Sequence, residues 1–94
     1  SERVRELYYK AFNNAMDKND ALAVTYIATQ YSRFLAYKCN DHVRAVGIFN
    51  QAISNPACAN KVLFLSFVGL VRGLNLPGGS QQIKQIFEKA VTLL

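Results

Sequence analysis

The chain has 94 residues, half of them apolar, which suffices for one small domain that buries only roughly 60–65% of its unfolded surface. Eleven Lys and Arg against six Asp and Glu give a net charge of +5, a field that favours an acidic partner or nucleic acid. The two thiols, Cys39 and Cys58, form no CxxC and only one His is present, so no metal set is expected, and both cysteines read as small apolar fillers of a reducing compartment.

Taken in chain order, the first helix is predicted over residues 3–16, where Val4, Leu7, Tyr8, Ala11, Phe12 and Ala15 recur at spacings of three and four. The polar turn Asp17-Lys18-Asn19-Asp20 ends it, and Asp20 is placed to cap the next helix. The second, over residues 21–38, carries Val24, Ile27, Ala28, Tyr31, Phe34 and Leu35 on one stripe. Asn40-Asp41 then caps a third over 42–54, and Asn55-Pro56 breaks the chain, because proline disfavours a helical residue before it.

The fourth helix begins at 57 or 60 and runs to 74. Its stretch from Val62 to Val68 is apolar nearly all round, the mark of a helix surrounded by protein. Its apolar run is well short of the roughly 20 residues that cross a bilayer, so no membrane role is expected. Leu76-Pro77-Gly78-Gly79 is the strongest loop signal, after which Ser80 caps a fifth helix ending near Leu93. Gly47, Gly69 and Gly73 stand inside helices, where each costs roughly 1 kcal/mol relative to Ala, and are expected where paired helices approach closely.

One phrase occurs three times: Leu7-Tyr8-Tyr9-Lys10-Ala11-Phe12, Ile48-Phe49-Asn50-Gln51-Ala52-Ile53 and Ile86-Phe87-Glu88-Lys89-Ala90-Val91. From Ala11 to Ala52 is 41 residues and from Ala52 to Ala90 is 38, a period in the range of stacked helical repeats. Upstream, Ala28-x-x-Tyr31-x-x-Phe34-Leu35 aligns with Phe64-x-x-Phe67-x-x-Leu70-Val71. The expected fold is therefore all-α: a solenoid of antiparallel helix pairs, five helices in all. One segment of 94 residues divides into an unpaired second helix over 1–17 and two repeats over 20–55 and 57–94. Such a segment exposes apolar ends unless a longer array or a second copy covers them.

Chemistry is sparse. His42 sits in a turn with no convergent polar set, so it is expected to be an exposed residue of the third helix. Gly78-Gly79-Ser80 lacks the lysine of a phosphate loop. Neither catalysis, a cofactor nor a metal is predicted. Most aromatic residues fall at helical spacing on the buried stripe, with Tyr9 and Tyr37 expected to be exposed. The cations form no run, and only Arg3 and Lys10 share a helical face, so these two are the candidate contacts to RNA or an acidic partner. The apolar C-terminal end makes Val91, Leu93 and Leu94, with Tyr9, the candidate self-association surface, and a homodimer the expected cover.

The helix-pair period and the aromatic positions resemble the HAT repeat, the half-a-TPR unit of RNA-processing scaffolds. Its first-helix pattern, Trp-x-x-Tyr-x-x-Phe-Glu, falls on Tyr31 and Phe34, then on Phe64, Phe67 and Leu70. Its second-helix pattern, Ala-Arg-x-apolar-aromatic-Glu-Arg-Ala-Leu, falls on Arg5, Leu7, Tyr8, Lys10, Ala11 and Phe12, on Ala45, Ile48, Phe49, Ala52 and Ile53, and on Lys84 and the run from Ile86 to Val91. Ala28 stands in place of the Trp, Leu35 and Val71 in place of the Glu, and Val46 in place of the second-helix Arg. Tyr31 to Leu35, Asn40 to Ala45 and Ile48 to Ile53 look most like C-terminal repeats of nuclear splicing scaffolds associated with the U-one small nuclear ribonucleoprotein. The resemblance implies a non-catalytic protein-interaction scaffold in pre-mRNA splicing, nuclear and dimeric. The alternatives are a TPR-like adaptor that binds a peptide and a helical-repeat module that binds RNA directly.

Overall fold

The computed structural model describes residues 2–94, so Ser1 of the expected first segment lies outside it. Five α-helices follow in order: α1 (Glu2–Asp17), α2 (Ala21–Arg33), α3 (His42–Ile53), α4 (Lys61–Leu74) and α5 (Gly79–Leu93). No strand occurs among the described residues. Neighbours in sequence pack on one another, and α2 also packs on α4. The result is a slab measuring 35 × 30 × 14 Å along its principal axes.

The helix boundaries follow from local side-chain chemistry. Asp20 accepts from the Ala23 N–H at 3.1 Å, Asp41 from the Arg44 N–H at 3.1 Å and Asn60 from the Leu63 N–H at 3.0 Å, each satisfying an orphan donor of a first turn. Three helical stretches end at asparagine with positive φ: Asn19, Asn40 and Asn75. Asparagine tolerates the left-handed conformation better than most residues. Asn19-Asp20 and Asn40-Asp41 are thus one device used twice, an Asn that closes a helix and an Asp that opens the next. Ser80 lies inside α5 instead of capping it; the cap position is Gly78 at φ 78°, which supplies no side-chain bond.

The predicted second helix is not uniform. After Arg33 the chain continues into one π-helical turn, Phe34–Lys38, closed by a Cys39 N–H to Phe34 carbonyl bond of 3.2 Å. Upstream, the Thr25, Thr29 and Ser32 hydroxyls donate to backbone carbonyls at 2.8, 2.8 and 3.2 Å. Hydroxyl back-bonding of this kind bends helices, and single π turns recur at functional sites. Here the wide turn buries both Leu35 and Ala36 while turning Tyr37 outward.

Three side-chain bonds tie segments far apart in the chain. The Arg5 guanidinium donates to Asp41 at 2.9 Å, the Asn55 amide to Asn19 at 2.9 Å and the Asn60 amide to the Thr25 hydroxyl at 2.8 Å, across separations of 36, 36 and 35 residues. Asp41 thereby uses one carboxylate oxygen for its cap and the other for α1. Two ring stacks join successive helices. Tyr8 of α1 lies on Tyr31 of α2 at 5.5 Å and 9°, and Phe49 of α3 lies on Phe67 of α4 at 5.0 Å and 8°.

The core sits between α2, α3 and α4, with Phe12 and Ala15 entering from α1 and Ile86 from α5. Burial departs from the predicted stripes in specific places. Val4, Leu7 and Ala11 of α1 are exposed, as are Val62 and Leu65 of α4, so α4 is not surrounded by protein. Among the aromatic residues, Tyr26 and Phe87 join Tyr9 and Tyr37 at the surface. His42 is half-buried. The glycines also correct the sequence reading: a Cβ at Gly47 or Gly69 would meet nothing within 4 Å, and one at Gly73 would meet only the Tyr37 hydroxyl, at 3.0 Å. Gly47 and Gly69 are therefore not sites of helix-to-helix approach, whereas Gly73 makes room for the Tyr37 side chain from the turn after α2.

Cys58 is buried and Cys39 half-buried, both as free thiols. Burial pushes the Cys58 thiol above its ordinary pKa, and the Asp20 carboxylate adds to the shift. The reactive thiolate therefore forms at Cys58 only at higher pH than in an ordinary thiol. Iodoacetamide at neutral pH is expected to modify Cys39 in the folded protein and Cys58 only on unfolding. Equal labelling rates, read by mass spectrometry, would contradict the burial.

Candidate interaction surfaces

The three copies of the repeated phrase differ in exposure. In α3 the aromatic and both flanking apolar positions are buried: Ile48, Phe49 and Ile53, with Ala52. In α1 the equivalent Phe12 is buried and Tyr8 half-buried, while Leu7 and Ala11 are exposed. In α5 the pattern is reversed. Ile86 is buried and Ala90 half-buried, but Phe87 is 48% and Val91 83% exposed. The side that α3 covers in both directions is thus open at one edge of α1 and at the opposite edge of α5.

At the first edge Val4, Leu7, Tyr8, Ala11 and Ile27 line an apolar hollow of about 260 Å³. At the other, Phe87, Val91 and Leu94 share one stripe at helical spacing and are exposed, while Leu93, also exposed, falls on the stripe of Ile86. The candidate self-association residues therefore belong to different elements. Val91 and Leu93 lie in the last turns of α5, followed by Leu94, whereas Tyr9 of α1 lines a cleft with Glu2, Arg5, Glu6, Tyr31 and Arg44. At that cleft the Tyr31 hydroxyl is buried without a hydrogen-bond partner among the described residues.

Arg3 and Lys10 are both exposed on α1, but the Lys10 ammonium pairs with Glu6 at 3.2 Å. That pair, in water on both sides, reduces the positive field the spacing implied. Phe87 went unrecognised as a surface residue because a repeat motif cannot say whether its neighbour is present. The motif itself was the available signal: Phe87 aligns with two rings that stack on the following helix.

Among the described residues no helix is long and apolar enough to cross a membrane, and no group of three or more His, Cys, Asp or Glu is placed to hold a metal ion. No protein-family model, curated protein or solved structure matches this chain.

Proposed function

We propose that the chain is a non-catalytic protein-interaction scaffold of the HAT or TPR-like kind, an α-solenoid of antiparallel helix pairs that self-associates through its α5 edge. The repeats are residues 20–55 and 57–94, preceded by a second helix over 1–17. The observation that carries this reading is the pair of equivalent ring stacks, Tyr8 on Tyr31 and Phe49 on Phe67, with Phe87 as the third ring of the series and uncovered. An exposed aromatic and two exposed aliphatic residues, Phe87 with Val91 and Leu94, form at one edge the kind of apolar patch that marks an interaction surface.

The setting, nuclear pre-mRNA processing beside the U-one small nuclear ribonucleoprotein, extends the sequence resemblance to the C-terminal repeats of pre-mRNA-processing factor thirty-nine. Partners are accordingly proteins of a ribonucleoprotein complex and a second copy of the chain.

Sedimentation equilibrium tests the self-association. The chain is expected to dimerise at high micromolar concentration, and Phe87→Glu combined with Val91→Glu to return it to monomer with unchanged helical circular dichroism. Neither side chain belongs to the buried core, so the variant keeps its core. A monodisperse monomer for the unmutated chain would contradict self-association, and failure to co-sediment with purified U-one particles would contradict the proposed setting.

A further inference from the structure

A second surface, away from the α5 edge, has its own chemistry. Where α2 and α4 pack together, Thr29, Arg33 and Tyr37 on one side and Ser66, Gly69 and Leu70 on the other enclose an open groove of about 400 Å³, with Phe49 also in its lining. Helical spacing continues each wall. Leu22 and Tyr26 lie on the α2 stripe with Thr29 and Arg33, and Val62 and Leu65 on the α4 stripe with Gly69 and Arg72. Along these stripes Leu22 is 83%, Tyr26 67%, Val62 60% and Leu65 52% exposed. Water on so many large apolar side chains along one face is the signature of a docking surface.

Its charge has one sign. No Asp or Glu occurs at 21–40 or at 42–87, so neither helix contributes a carboxylate, while Arg33 and Arg72 on the two stripes contribute cations. Arg33 and Arg72 take part in none of the ion pairs among the described residues, which involve Arg5 and Lys10. The floor is held open as well. Glycine disfavours a helix interior, and packing does not require it at Gly69, whose missing Cβ would meet nothing within 4 Å.

We infer that the α2–α4 groove binds an acidic peptide segment of a partner protein, one whose apolar side chains alternate with Asp or Glu. The apolar side chains cover Leu22, Tyr26, Val62 and Leu65, and the carboxylates meet Arg33 and Arg72, which suit bidentate pairing. A second copy docked face to face here would bring cations against cations. Single-stranded RNA would stack on Tyr26 and Tyr37 but leave the three aliphatic side chains without apolar cover. The inference goes beyond the scaffold reading, since it uses neither Phe87 nor the α5 edge.

The probe is a fluorescein-labelled synthetic peptide repeating Asp-Leu-Glu-Phe, titrated with the full chain and read by anisotropy. Saturable binding is expected, weakened about tenfold or more by Arg33→Glu with Arg72→Glu, since loss of a charge-assisted pair costs at least a factor of this order. Gly69→Trp, which fills the groove from an open position, is expected to weaken it as well. The same peptide with Asn and Gln for its acids should bind at least tenfold more weakly. Phe87→Glu should leave binding unchanged, which separates this groove from the association edge. Equal binding to the arginine variant, no saturable binding, or tighter competing binding of polyuridylate RNA would overturn the inference.

Discussion

Replacing Phe67 by alanine is expected to lower the unfolding free energy by about 3–5 kcal/mol, the usual cost of deleting a large buried ring. The Phe67 side chain is fully buried, stacks on Phe49, and faces the space where Ile53 of α3 meets Ile86 of α5. Its loss therefore loosens three helices together. At about 0.05–0.15 kcal/mol per residue, a chain of this length holds only roughly 5–14 kcal/mol in total. Urea titration followed by circular dichroism should show a large drop in midpoint. An unchanged midpoint would show that the stack contributes no stability and that the α3–α4 packing is wrong.

The second large effect belongs to Asn60, whose side chain does three things at once. Its oxygen caps α4 through the Leu63 N–H, while its amide donates to the Thr25 hydroxyl at 2.8 Å and to the Cys58 carbonyl at 3.0 Å. Alanine removes the cap and leaves a half-buried carbonyl without its donor, for an expected loss of about 2 kcal/mol. Asn60→Asp retains an acceptor for the Leu63 N–H but donates nothing to Thr25 or Cys58. Its loss should fall between those of wild type and alanine. Equal losses for the two variants in the same titration would show that the cap contributes nothing.

The features legible in the sequence are those set by chemistry within a few residues. Asp20, Asp41 and Asn60 announce helix starts because their side chains reach only three residues ahead. The repeated aromatic phrase placed Phe49 in the core because a ring at helical spacing between two other helices has no exit to water. The π turn was not legible. Residues 34–38 keep an apolar pattern compatible with an ordinary helix, and the wider turn arises where α2 meets α3.

Burial at the edges was illegible for a different reason. Leu7 and Phe87 carry the same local pattern as Ile48 and Phe49, and only the presence of a neighbouring helix decides whether they are wet. Of the helix-interior glycines, Gly47 and Gly69 depart from the expected close approach and Gly73 does not. A helix-interior Gly says that something small is tolerated; the structure shows open space at Gly69 and the Tyr37 ring tip at Gly73. The α2–α4 face was hidden because its arginines and tyrosines come from separated segments, yet the long carboxylate-free run from 42 to 87 was there to be counted.

Equivalence of the repeats is the central claim, and double-mutant cycles on the two ring stacks test it most directly. Tyr8→Ala with Tyr31→Ala and Phe49→Ala with Phe67→Ala should each yield a coupling energy of about 0.5–1.5 kcal/mol beyond the single losses, similar in both stacks. A cycle between Phe87→Ala and either Tyr31→Ala or Phe67→Ala should give coupling near zero, because Phe87 is half exposed and stacks on neither. Coupling in only one stack, or coupling of Phe87 to Phe67 as strong as that of Phe49, would contradict the repeat register.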